Sequence, residues 1–163
     1  MMNILPIQPH QIEDAKYVIT AVAQRIFMPE KTVQDFYQIL EEEGELLDVD
    51  NFQQEYSENR GLFLVVMDGS RLVGTGAIKK LEEQTAELKR LWLLEEYHGQ
   101  RIGYQVVTCL LDFARAHSYK KVRLQTSQRQ RRAIEFYTQL GFYEIPSYRD
   151  SMDNVSMEMK LET

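Results

Sequence analysis

The sequence predicts one α/β (α+β) domain with a mixed, mostly antiparallel central sheet flanked by helices, in the order βααβββαβαββ over residues 1–163. Three observations carry that prediction. Apolar positions recur at helical spacing up to about residue 56, become extended between Leu62 and Leu94, and then pass twice from helical stripe to strand. Two short polar turns, Asp68-Gly69-Ser70 and Glu82 to Thr85, separate three extended runs and so imply an antiparallel meander. The strand, helix, strand passage between Ala86 and Thr126 requires one parallel pair within that sheet.

Taken in order, Asn3 to Ile7 is a short strand bounded by Pro6 and Pro9. From Gln11, the positions Ile12, Ala15, Tyr17, Val18, Ile19, Val22, Ala23 and Ile26 follow a helical stripe, with Asp14 near the positive end of the first turn. Val33, Phe36, Tyr37, Ile39 and Leu40 make a second stripe that breaks near Gly44, and Leu46 to Tyr56 reads as a further helical piece. The meander follows as Leu62 to Met67, Arg71 to Lys80 and Ala86 to Leu94. Gly99 to His117 is the strongest helix, with Ile102, Val106, Cys109, Leu110, Phe113 and Ala114 read as its apolar face. Val122 to Thr126 is a strand, Arg131 to Leu140 a helix ended by Gly141, and Phe142 to Ile145 and Val155 to Leu161 close the sheet.

Composition narrows the function. The chain has 163 residues, 44% hydrophobic and 27% charged, enough for one substantial core. Nineteen Lys plus Arg against 25 Asp plus Glu leave a net charge of -6, which disfavours a nucleic-acid partner. Cys109 is the single cysteine, so no internal disulfide forms, and it reads as a buried structural thiol. His10, His98 and His117 stand too far apart to resemble a metal-ligand set, so no metal is expected. The longest apolar run, Leu62 to Met67, falls far short of the roughly 18 residues of a membrane span. A cytoplasmic setting is the expectation, and a homodimer is compatible with it. Gly74-Thr75-Gly76 lacks the third glycine of a dinucleotide fingerprint, and Gly69 to Gly74 lacks the Lys-Ser or Lys-Thr of a P-loop.

The segment from Arg90 to Tyr104 passes from a strand through a turn directly into the strongest helix. Unpaired amides and the positive dipole end at such a helix start suit a pyrophosphate, and Gly99 and Gly103 allow close backbone approach. Glycines at these positions serve helix-sheet packing equally well.

Leu91-Trp92-Leu93 followed by Tyr97-His98-Gly99-Gln100-Arg101-Ile102-Gly103 resembles the acyl-CoA-binding motif of the GNAT superfamily of N-acetyltransferases. In that resemblance His98 takes the leading polar position, Arg101 stands where the family has its first Gly, and Gly103 takes the last position. A second resemblance lies downstream. Leu124-Gln125-Thr126-Ser127, Gln130 to Tyr137 and Leu140-Gly141-Phe142 are similar to the family's later strand, loop and helix, with Gln130 where many members carry Asn. The resemblance implies a GNAT-like fold with one splayed parallel pair, and acetyl-CoA as acyl donor. It further implies Leu91, Leu93, His98, Gly99, Gln100, Arg101, Ile102, Gly103, Tyr104, Gln130 and Arg131 as cofactor-binding residues.

The reaction so implied is transfer of an acetyl group to a primary amine of a small molecule. It needs a neutral amine, a stabilised oxyanion and a proton for the departing thiolate. Tyr137 matches the tyrosine that relatives use as general acid; the competing role is that Phe136 or Tyr137 fills the core of an amphipathic helix, and resemblance and chemistry together favour the acid. Glu87 stands where some relatives place a general base; the competing role is a strand carboxylate paired with Lys79, Lys80 or Lys89. The Leu93 N-H is the expected donor to the thioester oxygen, provided its strand splays from Val122 to Thr126. Seven cations and no acid between Phe113 and Ile134 suggest that Arg129, Arg131 or Arg132 anchors the 3′-phosphate side of CoA. The acid-only stretch Thr32 to Asn59 is either a solvated surface or a funnel for a cationic acceptor. The competing function is a CoA-binding or protein-interaction module that keeps the fold without catalysis.

Overall fold

In the computed structural model, which describes residues 2–149 and 155–162, the apolar alternation builds one seven-stranded sheet. Its first strand is β1 (Met2–Pro6), and a 3-10 turn at Pro9–Gln11 leads into α1 (Ile12–Phe27) and α2 (Val33–Glu42). The stretch expected as one further helical piece divides into α3 (Leu47–Asp50) and a π turn at Gln53–Ser57. The meander is β2 (Leu62–Asp68), β3 (Arg71–Glu82) and β4 (Thr85–Leu93), followed by α4 (Ile102–Ala116) and β5 (Lys121–Thr126). The chain closes with α5 (Arg131–Leu140), β6 (Tyr143–Ile145) and β7 (Val155–Lys160).

The strand order is β1-β2-β3-β4-β5-β7-β6, antiparallel throughout except for the β4-β5 pair. The fold class read from the sequence therefore stands. One face of the sheet carries α4, whose Val106 and Leu110 pack on Ile78, Leu88, Val122 and Leu124. The other face carries α1 and the turn region after it, with Val18, Ile19, Val49 and Tyr56 packed on Phe63, Val65 and Ala77. Two apolar layers thus clamp the middle of the sheet.

Three local expectations need correction. Tyr17, read into the apolar stripe of α1, is 55% exposed, because it lies on the side of the helix opposite Ala15, Val18 and Ile19. The helix α4 begins at Ile102 rather than Gly99, because Gly99 (φ 83°) and Arg101 (φ 63°) hold left-handed backbone that a helix cannot contain. Cys109 is exposed, and Val107 and Leu111 are buried in its place, since the buried face of α4 is centred between Leu110 and Ala114, about 120° round the helix from Cys109.

Candidate active site

The parallel pairing of β4 with β5 runs only from Thr85↔Lys121 to Leu88↔Leu124. Beyond Leu88, β4 continues beside β3 up to Gly74↔Leu93, while β5 continues beside β7 to Thr126↔Val155. The two strands part, leaving a V whose β4 wall carries backbone groups without a partner on that side.

A bulge sits at the opening of this V. Thr75 pairs with Trp92 and Ala77 with Lys89, so Arg90 and Leu91 together face the single residue Gly76. Arg90 takes the left-handed φ of 58°. Gly76 is required here because a Cβ would lie 2.5 Å from Val106 Cγ1 and 3.4 Å from Leu91 Cδ1. The extra residue reverses the alternation: Leu88, Leu91 and Leu93 pack on the α4 side, whereas Trp92 packs on the α1 side. Strict alternation would place Glu87 on the face of Leu91 and Leu93; the bulge puts it on the opposite one.

A cleft of about 980 Å³ runs across this opening. Of the residues expected at the cofactor, Leu91, Leu93, His98, Gly99, Arg101, Ile102, Gly103, Tyr104, Gln130 and Arg131 line it. Gln100 lies within the same turn but is not part of the wall, and neither Glu87 nor Tyr137 lines the cleft. Arg129 and Arg132 do, as does Phe136. At the far end the wall is made by Val22, Arg25 and Ile26 of α1 and by Val33 of α2. Val22 both packs against the α1-side core, as its place in the apolar stripe requires, and lines the cleft with Ile26.

The turn before α4 presents the main chemical feature. From Gly99 through Tyr104 no backbone N-H finds an acceptor among the described residues; the first to do so is Gln105, which donates to the Arg101 carbonyl at 3.1 Å. Six consecutive amides are therefore available at the positive end of a fifteen-residue helix, an arrangement that suits a di-anionic phosphate group. Arg101, the departure from the family pattern, adopts the left-handed turn itself (φ 63°, ψ 18°), and its guanidinium lies 4.8 Å over the Tyr104 ring. His98 donates from Nε2 to the Leu93 carbonyl at 3.0 Å, which ties the turn back to β4.

Tyr137 is buried in α5, its ring 5.6 Å from that of Phe142 and 5.5 Å from that of Phe136. Burial pushes its phenol well above the usual tyrosine range. No buried side-chain polar atom among the described residues lacks a hydrogen-bond partner. The Tyr137 hydroxyl makes no hydrogen bond with a described residue.

Glu87 is buried, and neither Lys79, Lys80 nor Lys89 pairs with it. Its Oε2 accepts from the Tyr148 hydroxyl at 2.8 Å and lies 3.0 Å from Arg149 Nη1, while Oε1 accepts from Arg149 Nη2 at 3.1 Å. Both oxygens are engaged, and Tyr148 and Arg149 are thereby tied to β4.

Within the acidic stretch Asp35, Glu42, Glu43, Glu45 and Glu58 are exposed, and the other four acids meet cations. Glu41 and Asp50 hold the buried Lys16, Glu55 meets Lys79, and Asp48 grips Arg90. Among residues 32–59 only Val33 lines the cleft. Among the described residues there is no group of three or more His, Cys, Asp or Glu placed to hold a metal ion, and no helix is long and apolar enough to cross a membrane.

The sequence profile of the acetyltransferase (GNAT) family matches residues 25–142. Rat N-acetyltransferase 8B is 32% identical over 111 residues, 64% of this chain and 50% of that protein. The chain spans about half the length of the curated relatives it matches. Among solved structures, a GNAT-family acetyltransferase from Staphylococcus aureus Mu50 superposes with a TM-score of 0.83 at 20% identity, covering 99% of this chain and 100% of its own. The PaiA N-acetyltransferase from Thermoplasma acidophilum, solved in complex with coenzyme A, superposes with a TM-score of 0.80 at 20% identity and covers 99% of both chains.

Proposed function

The chain belongs to the acetyltransferase (GNAT) family, and from that premise we propose that it moves an acetyl group from acetyl-CoA to a primary amine of a small molecule, by direct attack in a ternary complex. The observation that carries this reading is the run of unpartnered amides from Gly99 to Tyr104 at the mouth of the V. Such a run recognises a pyrophosphate through the main chain, so an arginine at position 101 is no obstacle once it holds the left-handed turn. Arg129, Arg131 and Arg132, on the cleft wall beyond, supply cations for a further phosphate. Acetyl-CoA, when bound, supplies an acyl group activated as a thioester.

The residues of this chain then have separable tasks. The β4 amide of Leu93, beyond the last β5 pairing, is the donor to the charge that develops on the carbonyl oxygen. Tyr137, kept protonated by burial and free of any internal acceptor, is the acid that delivers a proton to the departing thiolate. Glu87 has both oxygens occupied, which favours transfer of the amine proton through water rather than by direct contact. Apolar Val22, Ile26, Val33 and Trp92 at the far end favour an acceptor whose body need not be charged.

The test is a panel of primary amines, diamines and neutral-tailed amines of equal length included, incubated with acetyl-CoA and the protein. Thiol release is followed by absorbance, and N-acetylated product by mass spectrometry. The expected result is amine-dependent thiol release above the hydrolysis rate. Tight CoA binding with no amine-dependent release from any acceptor would favour the non-catalytic module instead.

A further inference from the structure

A non-glycine residue at φ 58° within a strand persists only where its surroundings over-determine it. Arg90 is held from two sides. Its carbonyl accepts from the Thr75 hydroxyl at 2.7 Å, and Thr75 is fully buried. Its guanidinium is held by Asp48, with Nε to Oδ2 at 3.0 Å and Nη2 to Oδ1 at 2.6 Å, in the two-bond geometry that fixes orientation as well as distance. Nη2 also donates to the Glu45 carbonyl at 2.5 Å, and the Tyr56 hydroxyl donates to Asp48 Oδ2 at 2.6 Å. The Asp48 and Arg90 side chains are each 19% exposed, so this is a sheltered pair rather than a surface contact.

The bulge decides which backbone and side-chain groups face the V. Without it, Leu91 and Leu93 exchange faces with Trp92, because a strand shifted by one residue turns every side chain over. We infer that Asp48 is a positioning residue for acyl transfer: by clamping Arg90 it holds the β4 bulge, and so sets the amides and apolar side chains from Leu91 to Leu93 that border the reacting group. The inference rests on the acetyl-transfer reading. It adds a link from the helical corner after α2 to the reacting strand, made by a residue that lies outside the cleft wall.

The test uses Asp48→Asn, which keeps the shape and the Tyr56 contact but removes the charge, and the double variant Asp48→Asn/Arg90→Gly. Glycine holds a positive φ without a clamp. The single variant should keep CoA affinity within about twofold, since the Gly99 to Tyr104 turn is untouched, and lose kcat by about ten- to a hundredfold, the scale of a misplacement near 1 Å. The double variant should recover most of that loss. Trp92 is the only tryptophan of the chain and lies within the bulged segment, so its emission reports the bulge without any turnover. Asp48→Asn should shift that emission, and the double variant should restore it.

Full kcat and unshifted Trp92 emission in folded Asp48→Asn would overturn the inference. So would equal losses of kcat and CoA affinity with no rescue by glycine, the pattern of a merely structural pair. If Asp48→Asn does not fold, Thr75→Val loosens the other side of the bulge, and an unchanged Trp92 signal and rate there would count against it equally. Absence of turnover in the unaltered protein would instead refute the acetyl-transfer reading, leaving the Trp92 measurement to decide the clamp.

Discussion

Replacing Tyr137 by Phe separates packing from chemistry at one atom. The ring stays between Phe136 and Phe142, so the apolar contacts at 5.5 and 5.6 Å are kept. The hydroxyl makes no hydrogen bond, so the usual loss of about 1 kcal/mol for a deleted bond does not arise. Stability should change by less than about 0.5 kcal/mol, a shift of only about 1–2 °C in Tm for a domain of this size. Loss of a general acid is worth about 10²- to 10⁴-fold in rate, or about 2.7–5.5 kcal/mol of activation free energy. The assay is single-turnover thiol release with saturating acetyl-CoA and amine, with CoA affinity from calorimetry and Tm from a melt. Because burial raises the Tyr137 phenol above its ordinary value near 10, it stays protonated through neutral and mildly basic pH, and the deficit should hold at every pH from 7 to 9.5. A variant with full single-turnover rate, or a deficit that vanishes within that range, would refute the acid role. Tyr137→Ala is a poor substitute, since emptying an aromatic core position costs about 3–5 kcal/mol.

Other substitutions probe the cofactor turn and the ion pairs. Gly103→Ala should leave CoA affinity nearly unchanged, because its Cβ would meet Phe136 Cζ at an ordinary 3.8 Å, whereas Gly103→Glu should weaken it by tenfold or more on calorimetry by adding a negative charge where a phosphate is expected. Arg101→Gly should retain CoA binding and melt within a few degrees of the parent, since relief of about 1 kcal/mol of left-handed strain is offset by a similar entropy loss. Arg101→Val, β-branched and unsuited to φ 63°, should weaken CoA binding at least fivefold. Burial opposes ionisation of Glu158, but hydrogen bonds from Arg123 and Tyr143 outweigh it and hold the carboxyl below the usual range. A carboxyl lowered in the folded state contributes stability above its unfolded value near 4.3 and loses it as pH falls through the folded value. Urea unfolding from pH 6 to pH 3 should therefore show stability falling, with a shallower slope in Glu158→Gln, by at most about 1.4 kcal/mol per pH unit.

Much of this protein is written locally in its sequence. Helix α5 begins and ends at Arg131 and Leu140, as the apolar stripe and Gly141 require, because helical period and a left-handed terminator act over a few residues. The meander, its two turns and the parallel pair after Ala86 follow from strand alternation and crossover geometry in the same way. The glycine-bearing turn before α4 was visible as a place for phosphate, since a helix start always leaves amides free. Contacts that meet only in three dimensions were not legible. Glu87 shows lysines across the hairpin as partners, yet it is taken by Arg149, 62 residues away. The acidic run after Thr32 is surface at Asp35, Glu42, Glu43, Glu45 and Glu58, but the sequence does not show that Lys16, Lys79 and Arg90 are brought against the other four acids. Cys109 sits within an apolar stripe, and only the angle at which α4 lies on the sheet leaves it exposed. The place of the β4 bulge, at Arg90, is the clearest case: the family resemblance leads one to expect a bulge in this strand, but a strand pattern cannot say which residue will be the extra one. That is decided by Asp48, 42 residues away, together with Gly76 and Thr75 on the neighbouring strand. Periodicity is a property of adjacent residues, whereas the facing of a side chain and the partner of a charge depend on elements that meet only once the chain has folded.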